Sequence, residues 1–223
     1  MPLNKNAEPF FNFTGMGNSK SKIWFIGIEE GGEAIPSLDE LEAEKGKCNN
    51  EPFMDDAAYP TRVWDIISDL LYDKFINENG LKKEEYRKRL FHKDYSFFFL
   101  AELFPLPKSS TDLSKWPEQY KEFFGYGKAD YLKYLSDVRK YHYKVVYDAW
   151  LTANPDLTIC FGSTYHYEFI NLLKLGHSDF ETSENKKLYY FNNKKIVLTP
   201  FFNNYLKSEV RTELKNIIKE VNV

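Results

Sequence analysis

The sequence has little cysteine: only Cys48 and Cys160 occur in a chain of 223 residues. They are far apart and lack the CxxC spacing, which argues against a disulfide framework, a zinc knuckle or a cluster held by four cysteines. The four histidines have no metal-ligand spacing with one another. We therefore predict no metal site and no cofactor, and a reducing compartment suits this cysteine usage.

Long apolar runs are also missing. No run reaches membrane-spanning length, and Met1 to Phe13 has no basic region followed by an apolar stretch. These absences predict a cytoplasmic protein with no membrane partner. Neither sign of charge dominates, because 30 basic and 33 acidic residues leave a formal charge of −3. Any site for a polyanion therefore has to be a local patch.

Aromatic residues are abundant, with 19 Phe, 16 Tyr and 4 Trp, and hydrophobic residues make up 43% of the chain. This is ample material for one core. The length fits a single α/β unit, so residues 1–223 are predicted to form one domain, with 1–20 as an N-terminal extension. The composition does not indicate an oligomeric state.

Short apolar runs alternate with helical patterns along the chain. This order predicts parallel strands with right-handed crossovers, in a three-layer α/β/α fold around a central, mostly parallel four-stranded sheet. Residues 188–191 are expected to form a hairpin with the fourth strand, Pro105 and Pro107 to end the second, and Gly176 to end the third helix. The predicted strands are 23–28, 97–103, 157–161 and 195–199, and the helices predicted to alternate with them are 61–75, 131–151, 163–175 and 208–221. Residues 82–90 are predicted to form a further, charged helix.

In such sheets ligands bind outside the carboxyl ends of the strands, which nominates the loops at 29–33, 104–108, 162–166 and 200–205. In the first loop, Glu29 or Glu30 could act as a base on water, and the neighbouring glycines let backbone approach a ligand. The alternative is a solvated acidic turn. Glu102 stands within an apolar strand, so it has to be paired, protonated or functional, unless it lies at the exposed tip of the strand.

Two further loops offer binding residues. Ser163 and His166 fall in the first turn after the third strand, where side chains and backbone amides can point at a ligand, although a structural histidine is an alternative. Phe201 and Phe202 could stack on a base while Asn203 reads its edge. Alternatively the two Phe residues cap the core and the amide shapes the start of the last helix.

Taken in order, these segments resemble the uracil-DNA glycosylase superfamily. Its first loop has the form Gly-Glu-x-Pro-Gly, often followed by Pro-Phe, and the segment from Gly27 to Glu33 and then Phe53 are similar in place. Ile159 to Gly162 and Thr199 to Asn204 occupy the places of the family's third and fourth motifs. The resemblance implies a site for DNA or a nucleobase-containing small molecule, with Glu29 and Glu30 as catalytic candidates for hydrolysis of an N-glycosidic bond. The binding residues that it implies are Gly27, Gly31, Gly32, Phe53, Glu102, Ser163, His166, Phe201, Phe202 and Asn203.

Three departures from the family pattern keep a second hypothesis open. The 199–204 loop has no histidine, Glu102 stands where an Asn is expected, and the proline of the first loop is missing. The alternative is a non-catalytic module that binds a nucleotide, nucleic acid or protein on the same scaffold. In either case, if the first strand lies beside the second, Glu29, Glu30 and Glu102 should converge, and at least one should have a pKa above the usual value of about 4.3.

Overall fold

A computed structural model of the chain describes residues 2–31, 34–48, 53, 61–76, 80–108, 110, 112–176, 180–182, 188–191, 195–203 and 206–221. Within these ranges the chain forms a mixed seven-stranded sheet with helices packed on both faces. The α/β class is therefore confirmed.

The described elements are seven strands and nine α-helices. The strands are β1 Met16–Gly17, β2 Ile23–Gly31, β3 Phe99–Lys108, β4 Leu157–Phe161, β5 Phe180–Thr182, β6 Tyr189–Phe191 and β7 Ile196–Thr199. The helices are α1 Glu8–Asn12, α2 Leu38–Cys48, α3 Arg62–Phe75, α4 Lys83–Lys88, α5 Tyr120–Phe124, α6 Tyr131–Asp137, α7 Tyr143–Ala153, α8 His166–Leu173 and α9 Ser208–Glu220.

The sheet has the strand order β1-β3-β2-β4-β7-β6-β5. The four inner strands β3, β2, β4 and β7 are parallel to one another, whereas β1 pairs antiparallel with β3, β6 with β7, and β5 with β6. The sheet is thus wider than the four strands that the sequence predicts. The hairpin of β6 and β7 is confirmed, but β1 and β5 contain only two and three residues and carry no apolar run that could have predicted them.

The prediction that prolines end the second strand is wrong, because β3 continues through Pro105 and Pro107 to Lys108. On one side β1 pairs only with Phe99 and Leu100, while β2 pairs with β3 as far as Lys108. In the described part of the sheet, the second half of β3 therefore has a strand neighbour on one side only. A proline on such an edge needs no hydrogen-bond partner for its missing N–H.

Two helix predictions are refined by the backbone. Residues 131–151 do form one helical stretch, but a π-helical turn, Val138–His142, joins α6 to α7. The prediction of Gly176 as the residue that ends α8 is wrong, because Lys174 has a φ of 53° and takes the left-handed conformation. The helix ends earlier than predicted since the N–H of Leu175 donates to the carbonyl of Ile170.

The core has one part on each face of the sheet. The α3, α4 and α9 helices cover one face, and α1, α2 and α5 to α8 cover the other. Phe10 and Phe11 are buried in the second part, so the first 20 residues, predicted to be an extension, contribute to the core. No helix in the described ranges is long and apolar enough to cross a membrane.

Candidate functional site

A cavity of about 560 Å³ lies at the carboxyl ends of the inner strands, on the face that α3 covers. We call it the strand-end cavity. Residues from β2, β3 and β4, from the segment after β7 and from the first turn of α3 meet there. Its described lining consists of Ile28, Thr61, Arg62, Val63, Trp64, Glu102, Lys108, Ser110, Phe161, Thr164, Tyr165, Phe201, Phe202 and Asn203.

The alternation of side chains along β3 brings Glu102 to this cavity. Leu100 packs in the core on the α3 face, and Glu102, two residues further, lies on the same face. Gly27 is its register partner on β2. A Cβ atom at Gly27 would collide with the Glu102 carboxylate and with the ring of Phe161. A larger residue here would require both side chains to shift, and the carboxylate oxygen Oε2 of Glu102 is buried against the backbone of β2.

Phenylalanines form one wall of the cavity. The rings of Phe161 and Phe202 stack with centroids 4.5 Å apart and an interplanar angle of 6°. Phe201 lies 5.9 Å from Phe161 and is 38% exposed, whereas Phe202 is fully buried. Phe202 therefore follows the alternative of a core residue, although its ring borders the cavity. Phe201 is the partly exposed ring at the mouth of the cavity.

Two cations and a helix N-terminus border the same cavity. Lys108 is 4% exposed, and its Nζ lies 5.3 Å from the centroid of the Trp116 ring and donates to the carbonyl of Ser110 at 3.4 Å. Arg62 opens α3 and is half exposed, 3.7 Å from the carboxylate of Asp65. Thr61 caps this helix as predicted, since its hydroxyl accepts from the N–H of Trp64. The first turn of α3, which is the positive end of its dipole, thus lines the cavity together with residues Arg62 and Lys108.

A second cavity of about 660 Å³ lies beside β7 on the opposite face of the sheet, and we call it the hairpin cavity. His166 stands at the start of α8, with Nδ1 3.2 Å from the carbonyl oxygen of Ser163 and its ring 3.9 Å from that of Tyr167. Thr164 lines both cavities. The described lining of the hairpin cavity is Ser163, Thr164, His166, Tyr167, Ile170, Tyr189, Phe191 and Leu198.

The structure separates the binding residues predicted from sequence into two groups. Four of them, Glu102, Phe201, Phe202 and Asn203, border the strand-end cavity, while Ser163 and His166 border the hairpin cavity. Gly27 lies under Glu102, Gly31 ends β2 beside Lys108, and Phe53 is partly buried.

The catalytic candidates fall partly outside the described residues. The backbone of Glu29 pairs with Phe104, so the first predicted strand does lie beside the second. The side chains of Glu29 and Glu30, and all of Gly32, lie outside the described residues. The convergence of three carboxylates and the raised pKa that would follow from it stay predictions.

Sequence reasoning missed Arg62, Trp64 and Lys108. The threonine cap at Thr61 signals where α3 begins, but only tertiary packing brings that turn to the strand ends. Lys108 lies in the nominated segment 104–108, but no binding role was predicted for it because that segment was expected to be a loop after the prolines rather than the end of β3.

His142 holds the peptide of Glu102 from the other face of the sheet. It is 2% exposed, with Nε2 2.9 Å from the carbonyl oxygen of Glu102 and Nδ1 3.0 Å from that of Phe11. Burial lowers the pKa of His142 and outweighs the two carbonyl contacts, which favour protonation. The neutral ring can donate to one carbonyl at a time. Because both ring nitrogens contact backbone carbonyls, one in α1 and one in β3, this histidine links these two elements rather than serving as a metal ligand.

The chain matches no protein-family model and no curated protein sequence. Among the described residues there is also no group of three or more His, Cys, Asp and Glu side chains that could hold a metal ion. The proposal of a function therefore rests on the residues that line the two cavities.

Proposed function

We propose that the strand-end cavity binds the base of a nucleotide or of a nucleic acid, in a divergent protein of the uracil-DNA glycosylase-like type. The observation that carries the proposal is the composition of the cavity lining: aromatic rings, polar side chains that can hydrogen-bond to a base edge, and two cations meet at the carboxyl ends of parallel strands. The volume of about 560 Å³ falls within the range of roughly 300–1,000 Å³ typical of ligand sites. The four consecutive parallel strands support the resemblance found in the sequence.

The apolar part of the cavity suits a flat base. Phe201 presents a partly exposed ring, and Ile28 and Trp64 contribute further apolar surface. A base stacked on one aromatic ring gains about 1–3 kcal/mol, whichever base it is. Polar groups then have to distinguish one base from another. The Asn203 amide can donate and accept hydrogen bonds, and the Glu102 carboxylate can accept one from an exocyclic amino group.

The cations suit a phosphate. Arg62 lies in the first turn of α3, where backbone N–H groups have no partner within the helix, and Lys108 lies in the same cavity wall. The formal charge of −3 gives the molecule no general attraction for polyanions. Affinity for a phosphorylated ligand therefore depends on this local pair, which distinguishes a nucleotide from an uncharged apolar ligand.

Hydrolysis of an N-glycosidic bond is the second candidate. It is favoured by the position of β2, whose end carries Glu29 and Glu30 beside β3 at the same sheet edge as Glu102. A carboxylate at this place could take a proton from the water that attacks the sugar. Here the substrate would be a base in DNA, and the cavity would hold that base after it leaves the stack.

Calorimetric titration tests the binding proposal. The ligands are AMP, GMP, CMP and UMP, with ribose 5-phosphate as the control that lacks a base. At least one nucleotide should bind more tightly than ribose 5-phosphate. The Phe201→Ala substitution should lower the affinity for that nucleotide by about 5- to 100-fold, as expected for one lost stacking contact. Leu132→Ala, at a 79% exposed position on α6, is the matched control and should bind like the parent protein. Equal affinity for ribose 5-phosphate and all four nucleotides would contradict base recognition.

A base-release assay separates binding from catalysis. Oligonucleotides that contain uracil, hypoxanthine or xanthine are incubated with a molar excess of protein, and free base is measured by chromatography. If the chain is a glycosylase, one of them loses its base, and Glu29→Gln or Glu30→Gln slows the release at least tenfold while the protein stays folded. No release by the parent protein, together with measurable nucleotide binding, would assign the cavity to a non-catalytic module.

A further inference from the structure

The two cavities at the carboxyl edge of the sheet are neighbours. Thr164, in the turn between β4 and α8, contributes to the wall of both. The strand-end cavity lies on the α3 face, and the hairpin cavity lies on the α8 face, next to Ile170 and Leu198. A ligand that fills both has to cross the sheet edge at Thr164.

The hairpin cavity has the surfaces on which a base stacks. Tyr167 is 60% exposed and packs against the ring of His166, while Tyr189 is partly buried on β6. Ser163 and Thr164 add hydroxyl groups at the side nearest the strand-end cavity. No Lys or Arg occurs among the described residues that line the hairpin cavity, whereas Arg62 and Lys108 line the strand-end cavity.

We propose that the hairpin cavity binds a second, adjacent base, so that the protein takes two consecutive nucleotides of a single strand across Thr164. This inference rests on the proposed function, because the first base occupies the strand-end cavity. A single strand is required since each base has to leave its neighbour and stack on a protein ring instead.

The two cations of the strand-end cavity set the expected salt dependence. In single strands the logarithm of the affinity falls with the logarithm of salt concentration by about 0.7 per phosphate contact. Two phosphate contacts, by Arg62 and Lys108, correspond to a slope of about −1.4.

The test compares three ligands by calorimetry: the mononucleotide that binds best, the dinucleotide that extends it, and the same dinucleotide without its second base. The intact dinucleotide should bind about 5- to 100-fold more tightly than the other two. Tyr167→Ala, at an exposed position of α8, should remove this gain and leave mononucleotide affinity unchanged. Tyr167→Phe keeps the ring and should keep the gain.

Two outcomes separate the failure of this inference from that of the proposed function. The second base site is contradicted, and the first is not, if the mononucleotide binds but the intact dinucleotide binds no more tightly than its abasic form. The same holds if Tyr167→Ala lowers the affinity for the mononucleotide and the dinucleotide equally. If no mononucleotide binds and Phe201→Ala has no effect on any ligand, the proposed function fails and the second site with it.

Discussion

The interior of the molecule and the carboxyl edge of the sheet use the same residue types in different ways. Phe202 and His142 lie in the interior, where Phe202 is fully buried and both nitrogens of His142 contact carbonyl oxygens. Phe201 and His166 lie at the edge, where Phe201 is 38% exposed and His166 borders a cavity. Residue type alone therefore does not reveal a ligand site, and burial decides which member of each pair stabilises the fold.

The two adjacent phenylalanines give the largest contrast. Phe202→Ala removes a ring stacked on Phe161 in the core and should lower the free energy of unfolding by about 3–5 kcal/mol. Phe201→Ala removes a ring at the cavity mouth and should lower it by less than about 1 kcal/mol. Urea denaturation followed by circular dichroism measures both. Equal losses would mean that Phe201 belongs to the core, which would remove the main aromatic surface from the proposed site.

The two histidines give the next contrast. His142→Ala leaves a space in the core and removes the N–H that donates to the carbonyl of either Phe11 or Glu102, so the free energy of unfolding should fall by about 2–4 kcal/mol. His166→Ala should cost less than about 1 kcal/mol because its contacts lie at the edge. The same denaturation measurement applies. If His142→Ala lowers the free energy of unfolding by less than about 1 kcal/mol, the contacts of His142 with the two carbonyls do not stabilise the fold as predicted.

A pair of glycines tests how tightly Glu102 is held. Gly27→Ala would push a methyl group into the Glu102 carboxylate and the Phe161 ring, so it should destabilise the protein by about 1–3 kcal/mol and weaken nucleotide binding. Gly46→Ala in α2 meets nothing within 4 Å and should stabilise the protein by about 0.5–1 kcal/mol. Thermal unfolding and titration with the nucleotide are the measurements. Unchanged binding in a folded Gly27→Ala protein would indicate that the carboxylate is not part of the site.

Sequence patterns predicted the frame of the molecule because its signals are local. Apolar runs located the inner strands, and the threonine at position 61 located the start of α3. The strand order then nominated the edge at which Glu102 and Asn203 meet a cavity, since the carboxyl ends of parallel strands lie together.

Other features depend on tertiary contacts that no local pattern encodes. The two residues of β1 pair because β3 is already in place, and the π-helical turn is visible only in the backbone. Arg62 joins the site through the packing of α3 on the sheet, and Lys108 joins it because an edge strand tolerates prolines. The second cavity likewise exists only where the predicted hairpin of β6 and β7 packs beside α8.

The smallest expected effect concerns pH and again separates the interior from the edge. Burial holds the pKa of His142 below its ordinary value of 6.5, so the unfolded chain binds a proton that the folded protein does not. Stability from this histidine is fully present above pH 6.5 and falls as the pH drops below that value towards the folded pKa. The partly buried carboxyl of Glu168 acts at lower pH: burial raises its pKa, but the contacts with Arg139 and Tyr143 outweigh this and hold its pKa below 4.5.

The measurement is the urea midpoint at pH 8, 7, 6 and 5, with His142→Gln as the comparison because glutamine keeps polar contacts without titrating. The parent protein should lose stability between pH 6.5 and 5, and the variant should be less stable at pH 8 but lose less over that range. His166→Gln should keep the pH dependence of the parent protein if the buried histidine is its source. If His142→Gln keeps the fall of the urea midpoint between pH 6.5 and 5 and His166→Gln removes it, the buried histidine is not the source of the pH dependence, and the contrast between the interior and the carboxyl edge is wrong.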